Sequence, residues 1–121
     1  MVKDTYYPKI EDVEKALQTL KGVAMETPLV QNLNISKEHE ATVFLKREDL
    51  QQVRSYKIRG AFNNINSLSP EQLKSGVVCA SAGNHAQGVA FSCKYLKVKG
   101  VIFMPTPTPK QKIEQVHMFG E

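Results

Sequence analysis

The second half of the chain alternates between short apolar segments and helical segments, and this order limits the possible fold more than any other feature. An apolar run at 76–80 precedes a helical segment at about 84–96, and a second apolar run at 100–104 precedes a last helix. Strand–helix–strand alternation is typical of parallel strands joined by right-handed helical crossovers. The sequence therefore predicts an α/β fold, with an open parallel sheet and flanking helices.

The first half of the chain predicts two helices, an extended segment and a strand. Apolar residues recur at helical spacing from 8 to 20, and a run rich in β-branched and aromatic residues at 41–46 predicts a strand. The segment 27–30 is expected to be extended, because the residue before a proline avoids the helical region. A further helix is expected at about 56–68, with Ser55 as its N-cap, since a serine hydroxyl accepts a hydrogen bond from the first free amides.

The last helix is expected to run from Lys110 to Phe119. Thr108 is its predicted cap, and Pro109 is placed in the first position, where a missing N–H costs nothing. Gly120 is the expected C-cap, and in an α/β chain another strand normally follows such a glycine. The sequence is therefore expected to stop within a larger architecture.

Composition excludes several classes of protein. No apolar run approaches the roughly 20 residues that a membrane-spanning helix needs, and the first residues lack the apolar segment of a secretory signal. Cys79 and Cys93 lie in apolar segments without other ligands at metal-binding spacing, so we expect buried free thiols in a cytoplasmic protein, and no metal site. The net charge of +4 is not arranged as a basic stripe interleaved with aromatic residues, so no nucleic-acid partner is expected.

Lys57 has an unusual position for a surface lysine. It falls in the first turn of the helix expected at about 56–68, where the helix dipole disfavours a cation by a few tenths to about 1 kcal/mol. Arg54 and Arg59 add like charge nearby in the sequence. Both effects favour the neutral amine, which is the form that Schiff-base chemistry requires. This position alone leaves open the alternative of a solvated lysine on an exposed helix face.

A loop of small residues follows the first apolar run of the second half. Its residues are Ser81, Ala82, Gly83, Asn84 and His85, and Ala86-Gln87-Gly88 comes directly after them. Free N–H groups at the start of a helix bind anions, so such a loop suits a carboxylate or a phosphate. The Asn84 amide can both donate and accept hydrogen bonds. Because Gly-Asn turns are common and a histidine such as His85 more often packs or caps than catalyses, the loop alone leaves a purely structural role open.

Taken together, three segments resemble one enzyme family. They are Lys46-Arg47-Glu48-Asp49, Ser55-Tyr56-Lys57-Ile58-Arg59-Gly60-Ala61, and the run from Ala80 to Ala90 that contains the small-residue loop. These segments are similar to those of threonine dehydratases of fold type II, the tryptophan-synthase-β class of enzymes that use pyridoxal 5′-phosphate. The resemblance extends from Thr27-Pro28-Leu29 to the last residue.

The resemblance implies a role for each matching residue. Lys57 corresponds to the lysine that holds pyridoxal phosphate as a Schiff base and later acts as acid and base at the substrate carbon. Asn84 corresponds to the asparagine that hydrogen-bonds the phenolic oxygen of the cofactor, and the backbone from Ser81 to His85 matches the loop that binds the substrate carboxylate. Tyr56 takes the place of a usual phenylalanine, so its ring is expected to pack on the cofactor, and its hydroxyl needs a partner if it is buried.

The resemblance also implies a reaction and a division into domains. The reaction is the β-elimination of L-threonine to 2-oxobutanoate and ammonia, as in isoleucine biosynthesis, by a cytoplasmic homo-oligomer that acts on threonine or serine. Residues 1–50 would belong to a large domain, and residues 51–121 to a small α/β domain. No segment of this chain matches the family's glycine-rich loop that binds the cofactor phosphate. The 121-residue chain on its own is therefore expected to be incomplete and inactive.

Two alternatives stay open at this point. Serine racemases and other fold-type-II enzymes carry a similar lysine and loop, although Gly83-Asn84-His85 favours the dehydratase and racemase branch over the synthases. The chain as it stands can also be an incomplete α/β domain without activity, which binds a ligand weakly or associates with a partner.

Overall fold

The computed structural model describes residues 6–120, and its second half has the expected α/β order. Residues 1–5 and Glu121, which the two expected domains include, lie outside the described residues. The elements in chain order are α1 (Ile10–Leu20), β1 (Leu29–Gln31), α2 (Leu33–Glu38), β2 (Phe44–Lys46), a 3-10 helix (Glu48–Leu50), α3 (Lys57–Asn66), α4 (Pro70–Lys74), β3 (Val77–Ala80), α5 (Asn84–Leu96), β4 (Gly100–Phe103) and α6 (Lys110–Phe119).

β3 and β4 form the parallel pair that the alternation predicts, with α5 as the crossover helix. Side chains along a strand alternate between the two faces of a sheet. Val77, Cys79 and Ile102 pack against the core cluster that α5 shares with α3. Val78 and Phe103 lie on the other face and are 66% and 61% exposed. Within the described residues, only one face of this pair is therefore covered.

α5 is the centre of the packing. It contacts α3, α6 and both strands of the parallel pair. One core cluster joins it to α3 and a second joins it to α6. Their buried members are Ala61, Ile65, Val89 and Cys93 in the first cluster, and Ala86, Ala90 and Val116 in the second. Because other elements pack around α5, they also hold the residues at its N-terminal end, Gly83 and Asn84, in place.

Both cysteines are free, as the sequence predicts. Cys93 is buried in the cluster between α3 and α5, whereas Cys79 is half-buried in β3. Burial raises the pKa of both thiols, because a thiolate loses hydration in an apolar environment. A raised pKa disfavours the thiolate, which is the reactive form of a cysteine.

The N-terminal part of the chain packs on α3 through a smaller contact. Leu20 at the end of α1 is buried in a cluster with Phe62 of α3. The rest of the apolar stripe is open, since Ile10, Val13 and Leu17 are 64%, 58% and 59% exposed. The predicted helix is confirmed, but within the described residues only its last turn reaches a core.

The connection between α1 and α3 differs from the sequence prediction. The strand predicted at 41–46 is shorter, because only Phe44–Lys46 pairs, and it pairs antiparallel with β1 in a separate two-stranded sheet. The helix α2 was not predicted. Its N-cap is Asn32, whose side chain accepts a hydrogen bond from the Ile35 amide at 2.9 Å. Asparagine is a preferred N-cap residue, so this signal was present in the sequence. Six residues are too few to show a helical period.

The bounds of α6 are as predicted, but the predicted roles of Thr108 as the cap and Pro109 as the first helical residue are wrong. The helix begins at Lys110 with Pro109 in the N-cap position, whose extended ψ of 136° lies outside the helix. The Thr108 hydroxyl donates to the Pro105 carbonyl at 2.6 Å, so it does not cap the helix amides. Gly120 ends the helix as expected.

Candidate active site

Lys57 is the first residue of α3, as the sequence predicts. Its side chain is half-buried, and its Nζ lies 5.1 Å from the centroid of the Tyr56 ring. A cation over an aromatic face is attracted by the quadrupole of the ring, here by about 0.5–1 kcal/mol because the pair is accessible to water. Tyr56 is 60% exposed, so its hydroxyl faces water and needs no buried partner.

Ser55 does not act as the predicted N-cap. The N-cap residue is Tyr56, which already has helical backbone angles, and no side chain caps α3. The helix also ends at Asn66, two residues before the predicted end at about 68. The Ser55 hydroxyl is instead buried and has no hydrogen-bond partner within residues 6–120. An unsatisfied buried polar group costs about 1–3 kcal/mol of stability. Such a group two residues before Lys57 is typical of a functional site, where residues are not chosen for stability alone.

The loop from Ser81 to His85 lies at the carboxyl end of β3 and leads into α5. The Ser81 amide donates to the Phe103 carbonyl at 3.0 Å, which continues the pairing of β3 with β4. The Gly83 amide donates to the Ser81 hydroxyl at 3.3 Å. Asn84 and His85 are exposed at the start of the helix, and Ala82 is half-buried between them and the strand. Both side chains are therefore accessible from solvent.

The N-terminus of α5 carries free backbone donors. Gly83 is its N-cap and has no side chain, so no side chain caps the first amides. The first three amides of a helix have no carbonyl within the helix to bond, and the helix dipole makes them favourable to negative charge. A Cβ added to Gly83 would meet no atom within 4 Å, so the space beside this N-cap residue is open. This end of α5 can accept a carboxylate.

Gly88 brings the two sequence motifs together. A Cβ at this position would lie 3.0 Å from the carbonyl oxygen of Lys57 and 3.1 Å from its carbonyl carbon. Only a glycine therefore allows α5 to approach the first turn of α3 this closely. Gly88 lies one turn after Asn84, so the contact places the start of α3 beside the first turns of α5. No role for Gly88 is predicted from the sequence, although a glycine inside a helix is a signal of close packing.

The charge near Lys57 differs from the expectation. Arg59 does not add an uncompensated charge, because its guanidinium makes a paired contact with Glu48: Nε lies 2.9 Å from Oε2 and Nη2 lies 2.8 Å from Oε1. This hydrogen bond is the largest cause that lowers the pKa of Glu48 to about 2, so the carboxylate is charged across the physiological range. Of the two arginines near Lys57 in sequence, Arg59 is therefore neutralised and Arg54 is exposed to solvent.

The residues present fit a cofactor that carries an aldehyde and an anionic group. Lys57 supplies a primary amine, Asn84 supplies a side-chain amide, and the first turn of α5 supplies free N–H groups. The unpartnered hydroxyl of Ser55 adds a polar group beside the lysine. Within residues 6–120 there is no cluster of histidine, cysteine or acidic side chains that could hold a metal ion. In the same range no helix combines the length and the apolar character needed to cross a bilayer.

Comparison with known proteins identifies relatives of this chain. Over 113 residues it is 59% identical to the biosynthetic L-threonine dehydratase of Halalkalibacterium halodurans, a match that covers 93% of this chain and 27% of that protein. The processed form of threonine deaminase isoform 2 from Solanum lycopersicum superimposes with a TM-score of 0.80 at 40% identity, over 97% of this chain and 33% of that one. Maize serine racemase superimposes with a TM-score of 0.88 at 32% identity, over 96% and 36%.

The chain spans between about a quarter and about a third of the length of these relatives. A family model described as pyridoxal-phosphate dependent enzyme matches residues 21–121, which include both motifs and every element from β1 to α6. The chain therefore belongs to the family of pyridoxal-phosphate-dependent enzymes.

Proposed function

We propose that the protein containing this chain binds pyridoxal phosphate at Lys57 and catalyses the β-elimination of L-threonine to 2-oxobutanoate and ammonia. The 59% identity to a biosynthetic L-threonine dehydratase supports the choice of reaction. The observation that carries the proposal is the contact between Gly88 and the carbonyl of Lys57, because it holds the amine-bearing turn beside the free amides of α5. A cofactor-binding amine beside an anion-binding loop suits an amino-acid substrate, because the loop can hold the substrate carboxylate while the substrate amine lies beside the cofactor.

Each group of this site has a proposed task. Pyridoxal phosphate, when bound, supplies an electron sink for negative charge that develops at the substrate α-carbon. The Lys57 amine binds the cofactor, and when it is free it removes and returns the α-proton as a general base and acid. In the loop from Ser81 to His85, the backbone amides that do not already donate to Phe103 or to the Ser81 hydroxyl hold the substrate carboxylate. Asn84 hydrogen-bonds the phenolic oxygen of the cofactor ring. The accessible ring of Tyr56 lines the cofactor beside the lysine.

The wider organisation is part of the same proposal. Residues 1–50 are assigned to a large domain and residues 51–121 to a small domain of a cytoplasmic fold-type-II homo-oligomer. The exposed apolar stripe of α1 supports this assignment, because it offers residues 1–50 a surface for packing against the rest of the large domain. The 121-residue chain alone is expected to produce no 2-oxobutanoate from threonine.

The experiment that tests the site is reductive trapping. The protein is mixed with pyridoxal phosphate, reduced with borohydride, digested and mapped by mass spectrometry, with Lys57→Ala as the matched control. We expect one dominant pyridoxyl label at Lys57, which disappears in the variant. Labelling scattered over exposed lysines such as Lys97 and Lys112, at equal levels in both proteins, would refute Lys57 as the attachment site.

A second candidate, the racemisation of serine, is favoured by one observation, the TM-score of 0.88 to maize serine racemase. The two functions give different products. Incubation of the full-length protein with L-threonine yields 2-oxobutanoate if the dehydratase proposal is correct. Production of D-serine from L-serine, at a rate exceeding that of 2-oxobutanoate formation, would favour the racemase instead.

A further inference from the structure

A polar cluster lies behind the first turn of α3, and we name it the Glu48 cluster. It consists of Thr27, Glu48, Gln51 and Arg59 together with the backbone of Met25. The Thr27 hydroxyl donates to Glu48 Oε1 at 2.5 Å, and Arg59 donates to both carboxylate oxygens. Gln51 accepts from the Met25 amide at 2.9 Å and donates to the Met25 carbonyl at 2.8 Å. Arg59 Nη2, which donates to Glu48, also donates to the Met25 carbonyl at 3.0 Å.

The cluster ties together three segments that are distant in sequence. Met25 and Thr27 precede β1, Glu48 and Gln51 belong to the turn after β2, and Arg59 belongs to α3. Thr27 and Gln51 are only 4% and 2% exposed, and the Glu48 side chain is 14% exposed. Low exposure strengthens charge-assisted hydrogen bonds, and paired donors on a carboxylate also fix its orientation. The cluster is therefore a rigid attachment for α3.

Arg59 follows Lys57 by two residues on the same helix. Side chains two residues apart on a helix point to nearly opposite sides, so the Glu48 cluster holds the turn from the side away from the lysine amine. Gly88 of α5 touches the Lys57 carbonyl in a separate contact. The backbone of Lys57 is consequently constrained by two independent contacts, one polar and one steric.

We propose that Glu48, acting through Arg59, is a positioning residue that fixes the first turn of α3 and so orients the amine of Lys57 toward the cofactor. This inference rests on the proposed function, since it assigns a purpose to the geometry around the same lysine. Glu48 touches neither cofactor nor substrate in this assignment. Its effect on chemistry is indirect, through the direction in which the amine is presented, and misplacement of a reacting group by about 1 Å can cost about 100-fold in rate.

A neighbouring ion pair provides a matched control. Arg47 and Asp49 make the same kind of two-point contact, at 2.8 Å and 2.7 Å, within the same short segment. Their side chains are 40% and 58% exposed, and their contact involves no residue of α3. Asp49→Asn and Glu48→Gln each remove one carboxylate charge from the same region. Only Glu48→Gln also breaks a contact that attaches α3.

The test compares full-length wild-type protein with its Glu48→Gln and Asp49→Asn variants. Two readouts are taken: the rate at which borohydride-trapped label accumulates at Lys57 after mixing with pyridoxal phosphate, and the induced circular dichroism of the cofactor band per mole of cofactor bound once loading is complete. We expect Glu48→Gln to lower the labelling rate about tenfold or more and to weaken the dichroism per bound cofactor. We expect Asp49→Asn to match the wild type in both.

A second pair of variants keeps the test decisive if Glu48→Gln fails to fold. Thr27→Val removes the hydroxyl that donates to Glu48 at nearly constant volume, whereas Thr27→Ser retains it. We expect weaker dichroism per bound cofactor in the valine variant and restoration in the serine variant. Unchanged dichroism per bound cofactor in Glu48→Gln or Thr27→Val, despite lower thermal stability, would reduce the cluster to a structural role and overturn the inference. Absence of selective Lys57 label in the wild type would refute the proposed function itself.

Discussion

Two glycine-to-alanine substitutions provide a sharp test of the contact between α3 and α5. Gly60 and Gly88 both lie inside helices, so alanine should gain about 0.5–1 kcal/mol of helix stability at either position. A Cβ at Gly60 would meet no atom within 4 Å. We therefore expect Gly60→Ala to raise the free energy of unfolding by about 0.5–1 kcal/mol.

The same substitution at Gly88 meets atoms that cannot move away easily. Its Cβ would lie 3.0 Å from the Lys57 carbonyl oxygen, 3.1 Å from the carbonyl carbon and 3.3 Å from the Cβ of Ala61. Two of these atoms are backbone, so the first turn of α3 has to shift by a few tenths of an ångström. Overpacking of this kind costs about 1–3 kcal/mol, which offsets or exceeds the gain in helix propensity. Gly88→Ala should therefore be about 1–3 kcal/mol less stable than Gly60→Ala.

Urea denaturation of the two variants beside the wild type measures this difference directly. Reductive trapping adds a second measurement, since a displaced first turn should lower the labelling of Lys57 in Gly88→Ala. Equal stabilisation by both substitutions would show that the helices do not approach at Gly88 as described. It would also remove the observation on which the proposed site depends.

Three further predictions concern a titrating group, a strained glycine and the lysine itself. The pKa of Glu48 is about 2 in the folded chain, whereas the ordinary value for an unfolded chain is 4.5. The contribution of Glu48 to stability is therefore complete above pH 4.5 and is lost as the pH falls toward 2. This contribution is about 1–2 kcal/mol after allowance for solvent screening. Urea unfolding from pH 7 to pH 2.5 should therefore show a gap between wild type and Glu48→Gln that closes in acid, and parallel curves would contradict it. Gly76→Ala should cost about 2–4 kcal/mol, because φ is +81° and the new Cβ would meet the Lys99 carbonyl oxygen at 2.9 Å. Gly22→Ala, with φ of +78° and no atom within 4 Å, should cost only about 1–2 kcal/mol in the same assay, and equal losses would exclude the contact. Lys57→Ala should lower the free energy of unfolding by no more than about 1 kcal/mol, because the cation–π contact with Tyr56 is lost but the three ion pairs within residues 6–120 involve other cations. Loss of its far-ultraviolet circular dichroism would show that Lys57 supports the fold.

The elements that the sequence predicted well are those whose signal is local. The run from 76 to 104 carries two β-rich segments and a helix that the structure places at 77–80, 100–103 and 84–96. Lys57 was correctly placed in the first turn of a helix, because the apolar residues that follow it at helical spacing are buried together in α3. The apolar residues that show the helical period are also the ones that are buried, so the local sequence was sufficient to predict this helix.

The parts that the sequence could not predict depend on partners far along the chain. Ser55 has the right residue type for an N-cap, but the packing of its turn makes Tyr56 the N-cap and buries the serine hydroxyl. The sequence predicts that Arg59 adds like charge near Lys57, because nothing in it shows that Glu48, eleven residues earlier, reaches the guanidinium. The role of Gly88 was likewise hidden, since a glycine inside a helix signals a close approach but not the group that approaches. The site positions of the loop at 81–85 remain predictions.

The central place of α5 has a consequence for the motions of the site. Amide protons that exchange only when the core opens should be concentrated around Ala61, Ile65, Val89 and Cys93, which form the buried cluster between α3 and α5. Lys57 is the first residue of one of these two helices, and its carbonyl packs against Gly88 of the other. Its own amide lies in the first turn, where the helix offers no acceptor, so this amide should exchange faster than those of the core. A displacement of the Lys57 carbonyl would nevertheless disturb the same core whose slow exchange reports the free energy of global unfolding.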